Sequence, residues 1–259
     1  MPMGARARCR RAPRLLLDAT TLAAVALLAL GAAIIGGMGG FGTGVILTAA
    51  LAPLIGVKAL VPVLAVAGVI INAGRFWFYR GSLDRRALGV VLLSALPFLV
   101  FGTWLYSVLD ARAIGTILGI AVIASVPLRR ILKRRAVILG TPGLSVGAGI
   151  FGLASGVATG TGVILVSLLL GAGLSGPAVL ATDALVTIAL DLCKAALFQR
   201  FDLMDTQSFS TGVVIGLATI PGSALAAWLV TRVGARLHVL FMETLILAGG
   251  AFMLWHSWR

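Results

Sequence analysis

The chain is poor in charge, in cysteine and in histidine, and each scarcity removes a class of function. Of its 259 residues only 11% are charged while 60% are apolar, and a water-soluble domain of that make-up would lack the polar surface to cover itself. Acidic residues number 8 against 21 Lys and Arg, a net charge of +13. On a soluble fold this balance would point to nucleic acid. Here the basic residues sit in the gaps between apolar runs, so they read as membrane topology and no nucleic-acid partner is expected. Cys9, in a basic leader, and Cys193, inside an apolar run, are too few and too differently placed for a disulfide framework or a metal site. His238 and His256 stand at segment borders with no serine or carboxylate at useful spacing. The sequence has no phosphate-loop GxxxxGK, no HExxH, no CxxC and no GxSxG. ATP hydrolysis, zinc proteolysis and serine hydrolysis therefore have no support, and neither catalytic residues nor a cofactor are expected.

What the chain does have is apolar runs. Stretches of roughly 20 residues, enough to cross a hydrocarbon core of about 30 Å, recur from Leu15 to Trp255 with short breaks. The fold class this predicts is all-α, a polytopic membrane protein. Apolar runs read against punctuation give segments near 15–36, 45–57, 59–78, 87–108 and 113–128, then near 137–159, 163–175, 178–198, 209–230 and 236–256. The two sets share a rhythm. Gly42-Thr43-Gly44-Val45-Ile46-Leu47 returns letter for letter as Gly160-Thr161-Gly162-Val163-Ile164-Leu165, each time after a glycine-rich turn, Gly36–Gly40 and Gly152–Gly156. Pro97 with Trp104 and Leu105 is matched by Pro221 with Trp228 and Leu229. An internal duplication follows: a basic cytoplasmic leader over 1–14, a first transmembrane repeat over 15–136 and a second over 137–259. The Arg-rich start, Arg6 to Arg14, with the apolar run to Ile35 also has the look of a signal peptide. Its counterpart later in the chain argues against removal.

The short segments 45–57 and 163–175 decide the topology. A helix of about 13 residues rises only about 20 Å, so they are expected to be re-entrant or broken, leaving about four spans per repeat, two parallel repeats and eight spans in all. The leader, Arg80 to Arg86 and the cluster Arg129, Arg130, Lys133, Arg134, Arg135 then share one face, which the positive-inside rule assigns to the cytoplasm together with both termini.

Two features can carry chemistry. Helix starts at Thr43 and Thr161, after residues without bulk, would aim backbone N–H groups and a positive dipole end at a cavity, a way to hold an anion at membrane depth. The alternative is close helix packing through small residues; a duplicated motif that interrupts a helix favours the site, because unwound backbone in hydrocarbon needs protein or water around it. Gly42, Thr43, Gly44, Gly160, Thr161 and Gly162 are accordingly candidate substrate-binding residues. The second feature is a polar stripe, Asp183, Thr187, Asp191 and Lys194, on one face of segment 178–198. Ionisable groups inside a span usually face the bundle interior, a partner or a water path. Asp183, Asp191 and Lys194 are candidate proton-coupling residues, Asp183 foremost as a lone carboxylate deep in the span. The first half offers Asn72 and Arg75 on a similar face, candidates for binding substrate. Set against this, Asp191 and Lys194 would make an ordinary i, i+3 ion pair, with Lys194 snorkelling toward Arg200. Lys58 reads as an interfacial lysine, and Trp77, Trp104, Trp228, Trp255 and Trp258, near segment ends, as an aromatic belt.

The glycine breaks resemble those of the TauE/SafE family of membrane transporters, also called the sulfite exporter family. The resemblance rests on a duplicated Gly-rich turn, an apolar run and a short Gly-containing loop, here Gly36 to Leu54 with Gly56 and Gly152 to Leu170 with Gly171 and Gly173. Ala178 to Thr182, followed by Asp183, is similar to the Ala-x-x-Thr-Ser sequence of the family's second half. The likeness covers roughly residues 20 to 255. Gly42-Thr43-Gly44 and Gly160-Thr161-Gly162 stand where the family usually has a glycine triplet, the proline a few residues later is missing from both halves, and Asp183 replaces a small hydroxyl residue. The added hydroxyls can donate to an anion, whereas the added carboxylate repels one unless it is protonated or paired.

The resemblance implies a secondary transporter of the cytoplasmic membrane that exports a small anion such as sulfite or an organosulfonate. Its expected partners are the lipid bilayer, that anion and, in an oligomer, further copies of the chain. A channel-like or scaffold membrane subunit without alternating access is the alternative from another class. An intramembrane enzyme comes third, for want of a Ser/His or His/Glu pair.

Overall fold

In hydrocarbon every backbone N–H and C=O must find its partner within the segment, which leaves the helix as the form open to an apolar run of this length. The computed structural model describes residues 19–36, 42–134, 139–233 and 235–258, and their regular structure is entirely helical. The leader 1–14, most of the first glycine-rich turn and Arg135 lie outside the described residues, as do the side chains of Trp228, His238, His256, Arg129 and Lys133. Ten helices follow one another among the described residues. They are α1 Ala19–Gly36, α2 Gly42–Ile55, α3 Val57–Tyr79, α4 Arg85–Val108, α5 Ala111–Arg134, α6 Thr141–Val157, α7 Gly162–Gly171, α8 Pro177–Arg200, α9 Thr206–Val233 and α10 Ala235–Ser257, with a 3-10 turn Arg80–Ser82 after α3. Each of the ten apolar segments is a helix. Val57–Ser82, Arg85–Val108 and Ala111–Leu128 are long and apolar enough to cross a membrane, while α2 and α7, with 14 and 10 residues, are the two short ones.

Some of the scarce acids start helices. Asp84, Asp110 and Asp205 accept from the backbone N–H of Ala87, Ala113 and Ser208 at 2.7–2.8 Å, each satisfying an N–H that the first turn leaves orphaned. Prolines stand inside α2, α3, α4, α5 and α9, as membrane helices tolerate when neighbours re-satisfy the freed groups. Leu93, Phe101, Ile150 and Leu217 are exposed and suit a lipid-facing surface.

The packing repeats when α1–α5 are exchanged for α6–α10. Helix α4 packs on α6 and its counterpart α9 on α1; α3 packs on α9 and α8 on α4; α2 touches α1, α3 and α10, and α7 touches α6, α8 and α5. Two pairs, α3 with α8 and α5 with α10, consist of a helix and its own counterpart, and both run antiparallel. Along α3 and α8, Arg75 meets Asp183 and Gly68 meets Asp191. Along α5 and α10, Gly115 meets Ser257, Gly119 meets Leu254 and Arg130 meets Glu243. A two-fold operation that sets a helix antiparallel to its own copy has its axis across the helices, so the repeats are inverted.

The expectation of parallel repeats fails here, and the short helices are the cause. Contacts of Arg86 with Thr141, Ala95 with Gly152 and Thr103 with Gly156 make α6 parallel to α4. Helix α4 turns back from α3 and α8 is antiparallel to α3, so α6 and α8 run the same way and α7 must bring the chain back between them. Short as they are, α2 and α7 reverse the chain, which gives each repeat five directions rather than four. An odd number inverts the second copy. Gly222, well along α9, meets Leu30 and Ala33, well along α1, and α9 runs with α3 through Gly212 on Val66 and Gly216 on Ile70. Helix α1 thus starts on the face opposite Arg80 to Arg86.

Candidate functional site

The two glycine breaks meet. Helix α6 stops at Val157, Ala158 is extended, Gly160 has φ +79° and α7 starts at Gly162. A Cβ on Gly44 would lie 3.7 Å from the Gly160 backbone nitrogen, and the Thr48 hydroxyl hydrogen-bonds the Thr159 hydroxyl across the halves. Thr48 also donates to the Gly44 carbonyl at 2.7 Å. Gly160 is required twice over: its left-handed backbone disfavours any Cβ, and one built there would run into the Val45 side chain.

The contact lies at mid-depth. Leu139 N–H donates to the Gly171 carbonyl at 2.7 Å, so α7 ends level with the start of α6, and its 10 residues rise about 15 Å from there, half of a core of about 30 Å. From Ile55, beside the start of α3, back to Gly44 the rise is about 17 Å. Two half-depth helices therefore approach from opposite faces and present their N-termini to one another. Thr161 makes no side-chain capping bond at the start of α7, so its hydroxyl does not satisfy the N–H groups that the first turn leaves orphaned. Thr43 is buried and Thr161 half-buried. Of the residues named from sequence, Gly44 and Gly160 meet directly, while Gly42 and Thr43 open α2 and Thr161 and Gly162 open α7 beside them in the chain.

The ionisable residues gather elsewhere along the α3–α8 seam. Arg75 donates to Asp183 at 2.9 Å and joins the two repeats. The expectation of a lone carboxylate is corrected by this pair, although the other oxygen of Asp183 is buried without a hydrogen-bond partner. The Asn72 amide donates to the Gly68 carbonyl of its own helix at 2.9 Å, so both Asn72 and Arg75 have partners along the α3–α8 seam. Lys194 does pair with Asp191, at 2.6 Å, but it does not snorkel. At 4% exposure it turns inward and reaches the Ser155 hydroxyl at 3.5 Å. A Cβ on Gly68 would collide with the Asp191 carboxylate, so that glycine makes room for the acid. Thr187 is half-buried on the same stripe.

Toward the helix ends the bland expectations stand. Lys58 is exposed, as are Trp77, Trp104, Trp255 and Trp258, and the Arg80 guanidinium lies 4.0 Å over the Trp77 ring. Arg130 binds the Glu243 carboxylate and ties α5 to α10; that hydrogen bond, then the charge behind it, holds the guanidinium further above its ordinary range. Among the described residues no group of His, Cys, Asp and Glu could hold a metal.

Sequence reasoning missed the hydroxyls around the breaks: Thr48, Thr159, Ser155 and Thr103, the last buried without a partner where α4 meets Gly156. Thr48 and Thr159 flank the repeated string directly, and that adjacency was their only signal.

The family model for sulfite exporter TauE/SafE matches residues 25–253. No curated protein and no solved structure matches the chain.

Proposed function

Because the chain belongs to the sulfite exporter TauE/SafE family, a family of multi-pass membrane transporters, we propose that it exports a small sulfur anion, sulfite or an organosulfonate, across the cytoplasmic membrane by alternating access. The anion binds at mid-depth between Gly42–Gly44 and Gly160–Gly162, and the two inverted halves rock about it. One observation carries this reading: two N-termini at half depth, one from each repeat, touching at Gly44 and Gly160. Converging backbone N–H groups replace the water an anion gives up without placing a fixed full charge in the membrane. The hydroxyls of Thr43, Thr48, Thr159 and Thr161 add donors of the same kind.

Asp183 is the proposed coupling carboxylate. It is bound to Arg75 through one oxygen and leaves the other open to a proton, at a seam between halves that must slide during rocking. An inward proton flow through it would drive export. The test is anion flux into proteoliposomes with and without a pH gradient. Gradient-driven flux that Asp183→Asn abolishes supports the coupling; flux indifferent to the gradient, or unchanged in Asp183→Asn, removes it. A channel or scaffold would show no saturable, substrate-specific uptake at all.

A further inference from the structure

We propose that Lys194 is a direct ligand of the transported anion and that Asp191 holds it in reserve, taking up a proton as the anion takes its place. The inference rests on the transporter reading above and adds to it a side-chain charge and a second protonation site.

Three ion pairs among the described residues differ in what they join. Arg75–Asp183 links α3 to α8, and Arg130–Glu243 links α5 to α10. Asp191–Lys194 links nothing, since both residues belong to α8. It is nevertheless buried at both ends, with side chains 8% and 5% exposed. Two charges taken out of water are a poor source of stability even when they bridge helices, and an intrahelical pair lacks that benefit. Ionisable groups kept at such a place mark a path for an ion or a proton.

The geometry says which ion. The Lys194 ammonium has three N–H donors, one turned to Asp191 and one to Ser155. Ser155 lies in the last turn of α6, two residues before its end at Val157, and the chain beyond that end carries Thr159, whose hydroxyl meets Thr48 at the junction of the breaks. Lys194 thus stands beside the α6 end of the proposed anion site, where an ammonium adds charge to the two N-termini.

Charge counting then fixes the role of Asp191. With Asp191 ionised the pair is neutral, and an arriving anion leaves one uncompensated negative charge in a buried place. With Asp191 protonated, Lys194 and the anion neutralise each other. Against Asp191 lie Gly68 from α3, whose carbonyl accepts from the Asn72 amide, and Lys194 from its own helix, which also reaches Ser155 of α6. Arg80, Asp84, Arg85 and Arg86 belong to the Asp183 end of the seam, and α7 carries no charge. Protonation of Asp191 therefore answers chiefly to the occupancy of Lys194.

The test measures saturable sulfite flux of the full-length protein in proteoliposomes at several pH values. Lys194→Gln is expected to raise KM by at least about tenfold, the loss of one charge-assisted hydrogen bond, and Lys194→Arg to recover part of it. In Asp191→Asn the KM ratio to the unaltered protein should change across the pH range, because the variant no longer needs the proton; sulfite's own titration cancels from that ratio. The double variant Asp191→Asn with Lys194→Gln removes both charges and leaves no buried ion uncompensated, so it keeps the test open should Lys194→Gln not fold. A KM within twofold of normal in a folded Lys194→Gln or double variant, or a pH-independent ratio in Asp191→Asn, overturns the inference and leaves the transporter reading standing. Absence of saturable flux from the unaltered protein overturns both.

Discussion

Substituting Gly152 by alanine tests how the break is held in place. Gly152 lies where α6 crosses α4, and a Cβ there would sit 2.8 Å from both the carbonyl carbon and the Cα of Ala95, and nearer still to its oxygen. Non-bonded carbons rest at about 3.5–4.0 Å, and backbone cannot rotate aside, so the helices must part by about 1 Å. Gly102 and Gly156 press on the same crossing, with added Cβ atoms 2.6 Å from the Leu153 oxygen and 2.7 Å from the Leu99 oxygen, which gives the strain no slack nearby. Overpacking of this kind costs about 1–3 kcal/mol, and the better helix propensity of alanine returns up to about 1. A net loss of about 1–2 kcal/mol lowers Tm by about 2–8 °C for a chain of this size. Sulfite flux should fall further than stability suggests, because α6 ends in the connection that carries Gly160. Gly89→Ala, in α4 with nothing within 4 Å of the new methyl, is the control and should be neutral or slightly stabilising. The assay is thermal unfolding of the purified protein in detergent. A Gly152→Ala variant at least as stable as the original, or two variants shifted alike, refutes the proposed packing.

Other outcomes follow from the same geometry. Gly160→Ala should lose about 1–2 kcal/mol from its positive φ alone and abolish flux through the collision with Val45, while Gly173→Ala, with φ +91° but open surroundings, should keep its flux; equal flux in both would show that the break does not need Gly160. Arg75→Leu leaves Asp183 buried without its counter-charge and should destabilise by about 3–5 kcal/mol, whereas the double variant Arg75→Leu with Asp183→Leu should recover most of that; a double variant as unstable as the single refutes the pairing. Thr48→Val removes the hydroxyl contact between halves and should cost about 0.5–1.5 kcal/mol, read as a lower Tm. Helix α10 is antiparallel to α5 and ends on the face opposite Arg80, Arg85, Arg86 and Arg130, so an orientation set by those loops under the positive-inside rule puts the C-terminus outside the cytoplasm; a C-terminal reporter active only in the cytoplasm would overturn that orientation.

The helices were legible because hydrocarbon allows an apolar run little else, and most boundaries fell within about four residues of those observed; α5 runs on to Arg134, six residues past its apolar segment. The duplication was legible because Gly42 to Leu47 and Gly160 to Leu165 are identical. Direction was not, since it depended on whether α2 and α7 reverse the chain, and length alone cannot say that for a helix whose return is completed by its flanking turns. At the site, the meeting of the two GTG strings followed from their backbone character, whereas the partners of Asp183 and Lys194 came from other helices. Arg75 and Ser155 are separated from them by 108 and 39 positions, and no local pattern reports such a distance.

Inversion has one more consequence. Turning the molecule over exchanges α1–α5 with α6–α10, so each face is nearly a copy of the other. The exchange is imperfect, because α8 carries both Asp183 and Asp191 while α3 carries no acid at all. The two halves are thus alike in fold and unlike in charge, so under the alternating access proposed above the two open states would differ in the charge they present.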